Sequence, residues 1–128
     1  MSKADDLQRR VEAFADRSLR FIQGLPHTQI AQRMAAQFQD ASSSVASNYR
    51  AARRGRSYRE FTAKIGVVSE EADESVFWLT RMRNADIRSD MPLEPLLDEA
   101  TQLAKIFAAT YRTARRRRGR RDSGDDTK

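Results

Sequence analysis

The apolar residues of this chain recur at steps of three and four over four long stretches, as on one face of a helix. The repeating positions of the first stretch are Leu7, Val11, Phe14, Ser18, Phe21 and Leu25. Gly24 and Pro26 interrupt this repeat, so we predict a helix from Ala4 to Gln23. The second stretch begins after Thr28, a suitable N-cap. Its repeating positions are Ile30, Met34, Phe38, Ala41, Val45 and Tyr49. We expect Gly55 to end this helix in a left-handed turn.

A third helix is predicted from Tyr58 to Asn84. Ser57 and Glu60 have the spacing of a capping box, in which each side chain accepts from the backbone N–H of the other residue. The stripe of this helix is Phe61, Ile65, Val68, Ala72, Ser75, Leu79 and Met82. The break DIRSDMP follows, where Ser89 or Asp90 can cap a fourth helix. The core positions of that helix are Leu93, Leu96, Leu97, Ala100, Leu103, Ile106, Phe107 and Tyr111.

The four predicted helices are joined by short connections, which favour antiparallel neighbours. No alternating pattern of the kind that predicts a strand competes with them. We therefore predict an all-α fold, an up-down-up-down antiparallel four-helix bundle, over residues 1–114. Residues 115–128 form an arginine-rich tail, in which we expect helicity to fade and the chain to become disordered.

The net charge of +6 is unevenly distributed along the 128 residues. Residues 50–59 contain five arginines and no acid, and residues 112–121 contain seven more without an acid. Because these twelve charges are twice the net charge, the rest of the chain carries −6. Local basicity of this kind favours a polyanionic partner.

The composition also limits the cellular location that we expect and the kinds of site that the protein can contain. The absence of cysteine excludes disulfides and thiolate metal sites. The start MSKADDLQRR lacks the apolar run of a secretory signal, and no apolar stretch approaches the length of a membrane span. We therefore expect a cytoplasmic protein without a membrane partner.

Residues suited to catalysis or metal binding are scarce. His27 stands alone in a turn beside Pro26, so we expect it to be exposed to solvent rather than to bind a metal. The acidic residues Glu70, Glu71, Asp73 and Glu74 point in several directions around their helix, as on a solvated face. One histidine and no cysteine leave no nucleophile–base pair, and Gly55 alone makes no phosphate loop. We predict no enzyme activity, no catalytic residue, no metal site and no cofactor.

Two further clusters each have two interpretations. The segment SVFWL around Trp78 is typical of a core or of a subunit interface, and its extra apolar width favours the interface. The arginines either complement helix C-termini or bind the phosphates of a polymer. The candidate nucleic-acid-binding residues are Arg50, Arg53, Arg54, Arg56, Arg59, Arg115, Arg116, Arg117 and Arg118.

The segment from residues 41 to 79 resembles the central hairpin of bacterial four-helix bundle proteins encoded within intervening sequences of large-subunit ribosomal RNA genes. The resemblance extends over roughly residues 7–113. It is carried by the small-residue run before Ser47-Asn48, by the arginine-rich turn, and by the spacing of Ser57, Glu60 and Phe61. That family commonly has Ala-Glu-Gly where this chain has Arg50-Ala51-Ala52. The resemblance implies a homopentamer with basic surfaces. It also implies a relation to the accessory protein of diversity-generating retroelements, which works with a reverse transcriptase.

Two functional hypotheses follow from these observations. The first is a non-enzymatic oligomer that binds RNA or DNA through its arginines, with residues 115–118 as a flexible clamp. The second is a protein-interaction scaffold without a nucleic-acid ligand. In the scaffold, the turn arginines would pair across a subunit contact with the acidic residues of the third helix.

Overall fold

The computed structural model describes residues 1–122, and four helices account for most of them. They are α1 (Lys3–Gln23), α2 (Gln29–Arg53), α3 (Tyr58–Asn84) and α4 (Leu93–Asp122). Each helix packs on the next one along the chain, and α1 and α4 close the bundle. No strand occurs in this part of the chain. The predicted all-α, up-down-up-down four-helix bundle is confirmed.

Phenylalanine rings from α1 and α2 fill one half of the core. Phe38 is fully buried, and its ring forms T-shaped pairs with the rings of Phe14 and Phe21 at centroid distances of 6.4 and 6.2 Å. In the other half, the rings of Tyr49 and Phe107 lie 5.4 Å apart and join α2 to α4. Aromatic contacts of this kind fix the register of the helices that carry them.

The predicted apolar stripe of α2 was wrong at its first position. Ile30 is 64% exposed, and Ala31 and Ala35 face the core instead. A helix turns about 100° per residue, so Ala31 lies about 20° from the direction of Phe38, whereas Ile30 lies about 80° away. Four residues make slightly more than one helical turn, so positions spaced by four move gradually around the helix. The prediction followed this spacing back to the large apolar residue Ile30, which lies outside the buried face.

The turn between α2 and α3 also differs from its prediction. The φ of Gly55 lies outside the left-handed region. The N–H groups of Arg54 and Gly55 donate to carbonyls three residues back, each at 3.1 Å, and this tightened last turn needs no left-handed residue. The left-handed residue of the described chain that is not glycine is Asp86, at φ 56° after α3.

The predicted capping box of α3 is half correct. The Ser57 hydroxyl accepts from the Glu60 N–H at 3.1 Å, as expected. The Glu60 carboxylate, however, accepts from the Arg56 N–H at 3.1 Å, one residue before the predicted donor. The complete box lies at the start of α1, where Ser2 and Asp5 satisfy one another's N–H groups at 3.1 and 3.2 Å. At both helix starts, the serine hydroxyl pairs an N–H group of the first turn that would otherwise have no partner.

The loop between α3 and α4 packs on the turn between α1 and α2. The Ser89 hydroxyl donates to the Phe21 carbonyl at 2.7 Å and accepts from the Met91 N–H at 3.1 Å. The Asp90 N–H donates to the Gly24 carbonyl at 3.2 Å. Ser89 thus organises the approach to α4, and one end of the bundle is closed by these contacts.

Helix α4 continues through the arginine run, whereas we had expected disorder from residue 115. Its described part reaches Asp122, and residues 123–128 of the predicted tail lie outside the described residues. Arginine has a helix propensity close to that of alanine, and cations stabilise a helix C-terminus. Ala114, only 2% exposed, also attaches this stretch to the bundle. These three effects outweigh the repulsion between neighbouring guanidinium groups.

Candidate nucleic-acid interface

The two arginine clusters, more than fifty residues apart in sequence, lie at the same end of the bundle. The turn between α2 and α3 carries one cluster, and α4 ends alongside the start of α3 with the other. The Arg121 guanidinium stands 4.8 Å from the centroid of the Tyr58 ring, which joins the two clusters directly. We call this region the basic end. Its members are Arg50, Arg53, Arg54, Arg56, Arg59, Arg115, Arg116, Arg117, Arg118, Arg120 and Arg121.

One of the five turn arginines is already neutralised within the chain. Arg53 donates from Nη2 to Asp5 Oδ1 at 2.9 Å and from Nη1 to Gln8 Oε1 at 2.6 Å, and these bonds tie α2 to α1. The hydrogen bond from Arg53, with further bonds from Ser2, holds the pKa of Asp5 below its ordinary value. Arg53 is therefore a structural residue as well as a source of charge.

The other four turn arginines face solvent. Arg50, Arg54, Arg56 and Arg59 are exposed, and within residues 1–122 none of them forms an ion pair. Arg50 lies in the last turn of α2, where its charge complements the helix dipole. Arg54 is the C-cap residue of the same helix and is favoured in the same way, whereas Arg56 and Arg59 lie in the turn and at the start of α3, where the dipole gives a cation no stabilisation. Helix capping thus explains one or two of these arginines and leaves the others available.

The α4 arginines form a helical surface and not the flexible clamp that we had predicted for residues 115–118. Arg115 stacks over the Tyr111 ring at 5.6 Å, while Arg116 and Arg117 are exposed and make no ion pair with another described residue. Arg118 is half-buried. A helix holds these charges at fixed spacings, because successive turns rise about 5.4 Å.

The acidic residues of α3 lie elsewhere. Together with Asp40 and Gln37 of α2, they line an open groove of about 550 Å³. Its acids are Asp40, Glu70, Glu71, Asp73 and Glu74. The turn arginines nearest to this groove are Arg50, ten residues or about 15 Å from Asp40 along α2, and Arg59, eleven residues or about 17 Å from Glu70 along α3. The acidic groove and the turn arginines therefore do not meet within one chain. Burial, followed by repulsion from Glu74 and Glu70, raises the pKa of Glu71.

Metal ligands do not converge in the described part of the chain. No group of histidine, aspartate and glutamate side chains in residues 1–122 is arranged to hold a metal ion. His27 is exposed in the turn between α1 and α2, as predicted. Over the same residues, none of the helices combines the length and the apolar character that crossing a bilayer requires.

The segment around Trp78 was predicted to belong to the core or to a subunit interface, and its two neighbouring aromatic residues differ in this respect. Trp78 is half-buried and packs on the core. The neighbouring Phe77 is 49% exposed, and its ring meets that of Trp78 edge-to-face at 5.0 Å. The core interpretation therefore fits Trp78, whereas Phe77 is left as an outward-facing aromatic residue in the middle of α3.

Sequence reasoning missed an aromatic groove between α3 and α4 at the basic end. It has a volume of about 320 Å³. Its lining residues are Tyr58, Phe61, Ala109, Thr110, Thr113, Ala114 and Arg117. The rings of Tyr58 and Phe61 lie 5.8 Å apart with 33° between their planes. The sequence did contain a sign of this groove. Tyr58 directly follows the Ser57 cap, so it lies at the start of α3, opposite the arginine-rich end of α4.

Comparison with known proteins supports the fold of this chain. No protein-family model and no curated protein sequence matches this chain. Among solved structures, the chain is similar to a protein of unknown function from the S23 ribosomal protein family of Bacteroides thetaiotaomicron VPI-5482. The similarity has a TM-score of 0.77 and covers 87% of this chain and 99% of that one, at 21% sequence identity. At this identity the likeness supports the fold.

Proposed function

We propose that this protein is a small non-enzymatic helical bundle that binds RNA or DNA through the basic end. The observation that carries the proposal is the set of four exposed turn arginines that form no ion pair within residues 1–122, beside the arginine-rich surface of α4. Binding is directed mainly at phosphates, because guanidinium groups pair with phosphate oxygens in any sequence context. The cytoplasmic location stays a prediction, as do the pentamer and the relation to retroelement accessory proteins.

The salt dependence of binding is the first test. A protein that neutralises phosphates releases counterions, and each contact contributes about −0.9 to the slope of log K against log salt. If only the four exposed turn arginines act, raising salt fourfold weakens binding to duplex DNA by about 150-fold. Fluorescence anisotropy with generic RNA and DNA between 50 and 200 mM salt measures this slope. No binding at about 50 mM salt, or a flat response, contradicts the proposal.

A charge-neutralising variant locates the surface. In the triple substitution of Arg50, Arg54 and Arg56 to Gln, we expect weaker binding to every sequence and a salt slope smaller by about three. None of the three side chains makes an ion pair in the described chain, so the variant should lose only the interaction of Arg50 and Arg54 with the α2 dipole and should remain folded with a slightly lower melting temperature.

The matched control removes the same charge from the opposite end. Arg20, Arg33 and Arg81 are exposed near the other end of the bundle and likewise form no ion pair in residues 1–122. Substituting these three to Gln should leave the salt slope nearly unchanged. Equal losses from both triple variants would show that only the net charge matters and that the basic end is not a specific surface.

The acidic groove favours a second candidate function, the protein-interaction scaffold. The turn arginines of one copy can pair with Glu70, Glu71, Asp73 or Glu74 of another, since the two charged surfaces are complementary and too far apart to meet in one chain. Light scattering separates this candidate from the first. If neutralising Glu70, Glu71 and Glu74 dissociates an oligomer and the wild type binds no nucleic acid, the scaffold function is supported.

A further inference from the structure

We infer that the aromatic groove beside the basic end takes an unpaired nucleobase, so that the ligand of this protein is single-stranded nucleic acid. The inference rests on the proposed function and specifies its substrate. It starts from the placement of the groove, which is lined by Tyr58 and Phe61 on α3 and bordered by Arg117 on α4. An unpaired base and its phosphate therefore find an apolar ring surface and a cation within the same groove.

The dimensions of the groove fit a small planar group. Its volume of about 320 Å³ lies near the lower limit of small-molecule sites, which range from about 300 to 1,000 Å³. Tyr58 already stacks with one planar cation, the guanidinium of Arg121, at 4.8 Å. A base has the same requirement for a ring partner, and stacking on aromatic side chains is the usual way in which proteins hold single strands without reading sequence.

Polar groups in the groove match the edge of a base. The Thr110 hydroxyl donates to the Ile106 carbonyl at 2.8 Å and keeps its acceptor capacity. The Thr113 hydroxyl makes no hydrogen bond with another described residue and is half-buried among the lining side chains. Such a hydroxyl donates or accepts equally well, so it fits any of the bases.

The charges around the groove favour a strand over a free base. Arg117 forms no ion pair with a described residue, and Arg59 follows Tyr58 directly at the start of α3. Phosphates on either side of a bound base can therefore contact cations of both helices. A duplex offers the same phosphates but keeps its bases stacked inside, so it cannot fill the groove.

The test compares three ligands of equal length at low salt: a single strand, its duplex, and an abasic single strand with the same phosphates. RNA and DNA versions of the single strand distinguish the two sources of an unpaired base. We expect the wild type to bind the single strand more tightly than the abasic strand and the duplex. In Tyr58→Leu, which keeps apolar bulk without a ring, single-strand affinity should fall about 5- to 150-fold, to the abasic level.

Phe77→Leu is the matched control. Phe77 is an exposed aromatic residue on the same helix, nineteen residues and about 28 Å from Tyr58, so its substitution should leave all three affinities unchanged. Tyr58→Trp provides a second readout that does not depend on the leucine variant folding. Stacking with a base should quench the added indole fluorescence on titration with the single strand, and the abasic strand should not.

The outcomes separate the two proposals. Equal affinity for the abasic and the intact strand, unchanged single-strand affinity in Tyr58→Leu, or no quenching in Tyr58→Trp overturns base binding in the groove and leaves phosphate binding intact. Failure of all three ligands to bind at low salt overturns both.

Discussion

Replacing Gly24 by alanine should destabilise the bundle, because this glycine lies where the two turns at the closed end touch. A Cβ at Gly24 would stand 2.6 Å from the Ser89 hydroxyl oxygen and 2.9 Å from the Asp90 backbone nitrogen. The backbone conformation of Gly24, at φ −90° and ψ 2°, lies outside the left-handed region and is open to alanine. The cost therefore comes from the contact with the loop and not from the backbone of residue 24.

The magnitude follows from the hydrogen bonds that hold the loop in place. Moving the loop away weakens the bonds from Ser89 to the Phe21 carbonyl, from Met91 to Ser89 and from Asp90 to the Gly24 carbonyl. Each contributes a net stabilisation of about 0.5–1.5 kcal/mol. Alanine offsets about 0.4–1 kcal/mol by restricting the unfolded chain. We expect a net loss of about 1–3 kcal/mol, or a fall in Tm of about 5–10 °C.

Urea unfolding followed by circular dichroism at 222 nm measures this loss, with the slope m compared between variants to confirm that only stability changes. Gly119→Ala is the control, since a Cβ there meets nothing within 4 Å and alanine has the higher helix propensity. The control should be as stable as the wild type or slightly more stable. If Gly24→Ala is also unimpaired, the loop between α3 and α4 does not pack on the first turn as described.

Two further predictions concern the core and the acidic groove. Phe38→Leu should lower the free energy of unfolding by about 1–3 kcal/mol, because the ring contacts with Phe14 and Phe21 are lost together with buried volume. Urea unfolding measures this change, and a loss below about 0.5 kcal/mol would contradict the described packing. Glu71→Gln should stabilise the protein at pH 7, because a pKa raised by burial means that folding disfavours the charged carboxylate. The stability that the wild type gains from protonating Glu71 is complete below the unfolded pKa and is lost as pH rises through the folded pKa. The advantage of the Gln variant in Tm scans should therefore shrink as pH falls from 7 towards 4, and an advantage independent of pH would refute this reasoning.

The boundaries of α1, α2 and α3 could be predicted from sequence because their determinants are local. Thr28 and Ser57 each accept from a backbone N–H three residues later, and such contacts depend only on nearby residues. The C-terminal part of α4 could not be predicted in the same way. Its apolar repeat weakens through the arginine run, and Arg121 contacts the ring of Tyr58, more than sixty residues earlier in the chain.

In the candidate site, too, some features depend on neighbouring residues and others on how the helices pack. The turn arginines were recognisable because they adjoin one another in sequence, but the pairing of Arg53 with Asp5 depends on how α1 lies against α2. Local patterns also have a limit, because the apolar periodicity alone did not decide whether Ile30 or Ala31 faces the core. A shift of one residue rotates a helical side chain by about 100°, so small errors of phase exchange buried and exposed positions.

The sequence by itself determined the four helices, the caps at the starts of α2 and α3, and the two separate concentrations of arginine. These features follow from the period of the apolar residues and from contacts within a few residues along the chain. Only the tertiary structure decided that one turn arginine is neutralised, that Arg121 contacts the Tyr58 ring, and that an aromatic groove lies between the two arginine clusters. Those relations depend on the direction and register of whole helices, which are set when their apolar faces are buried against one another.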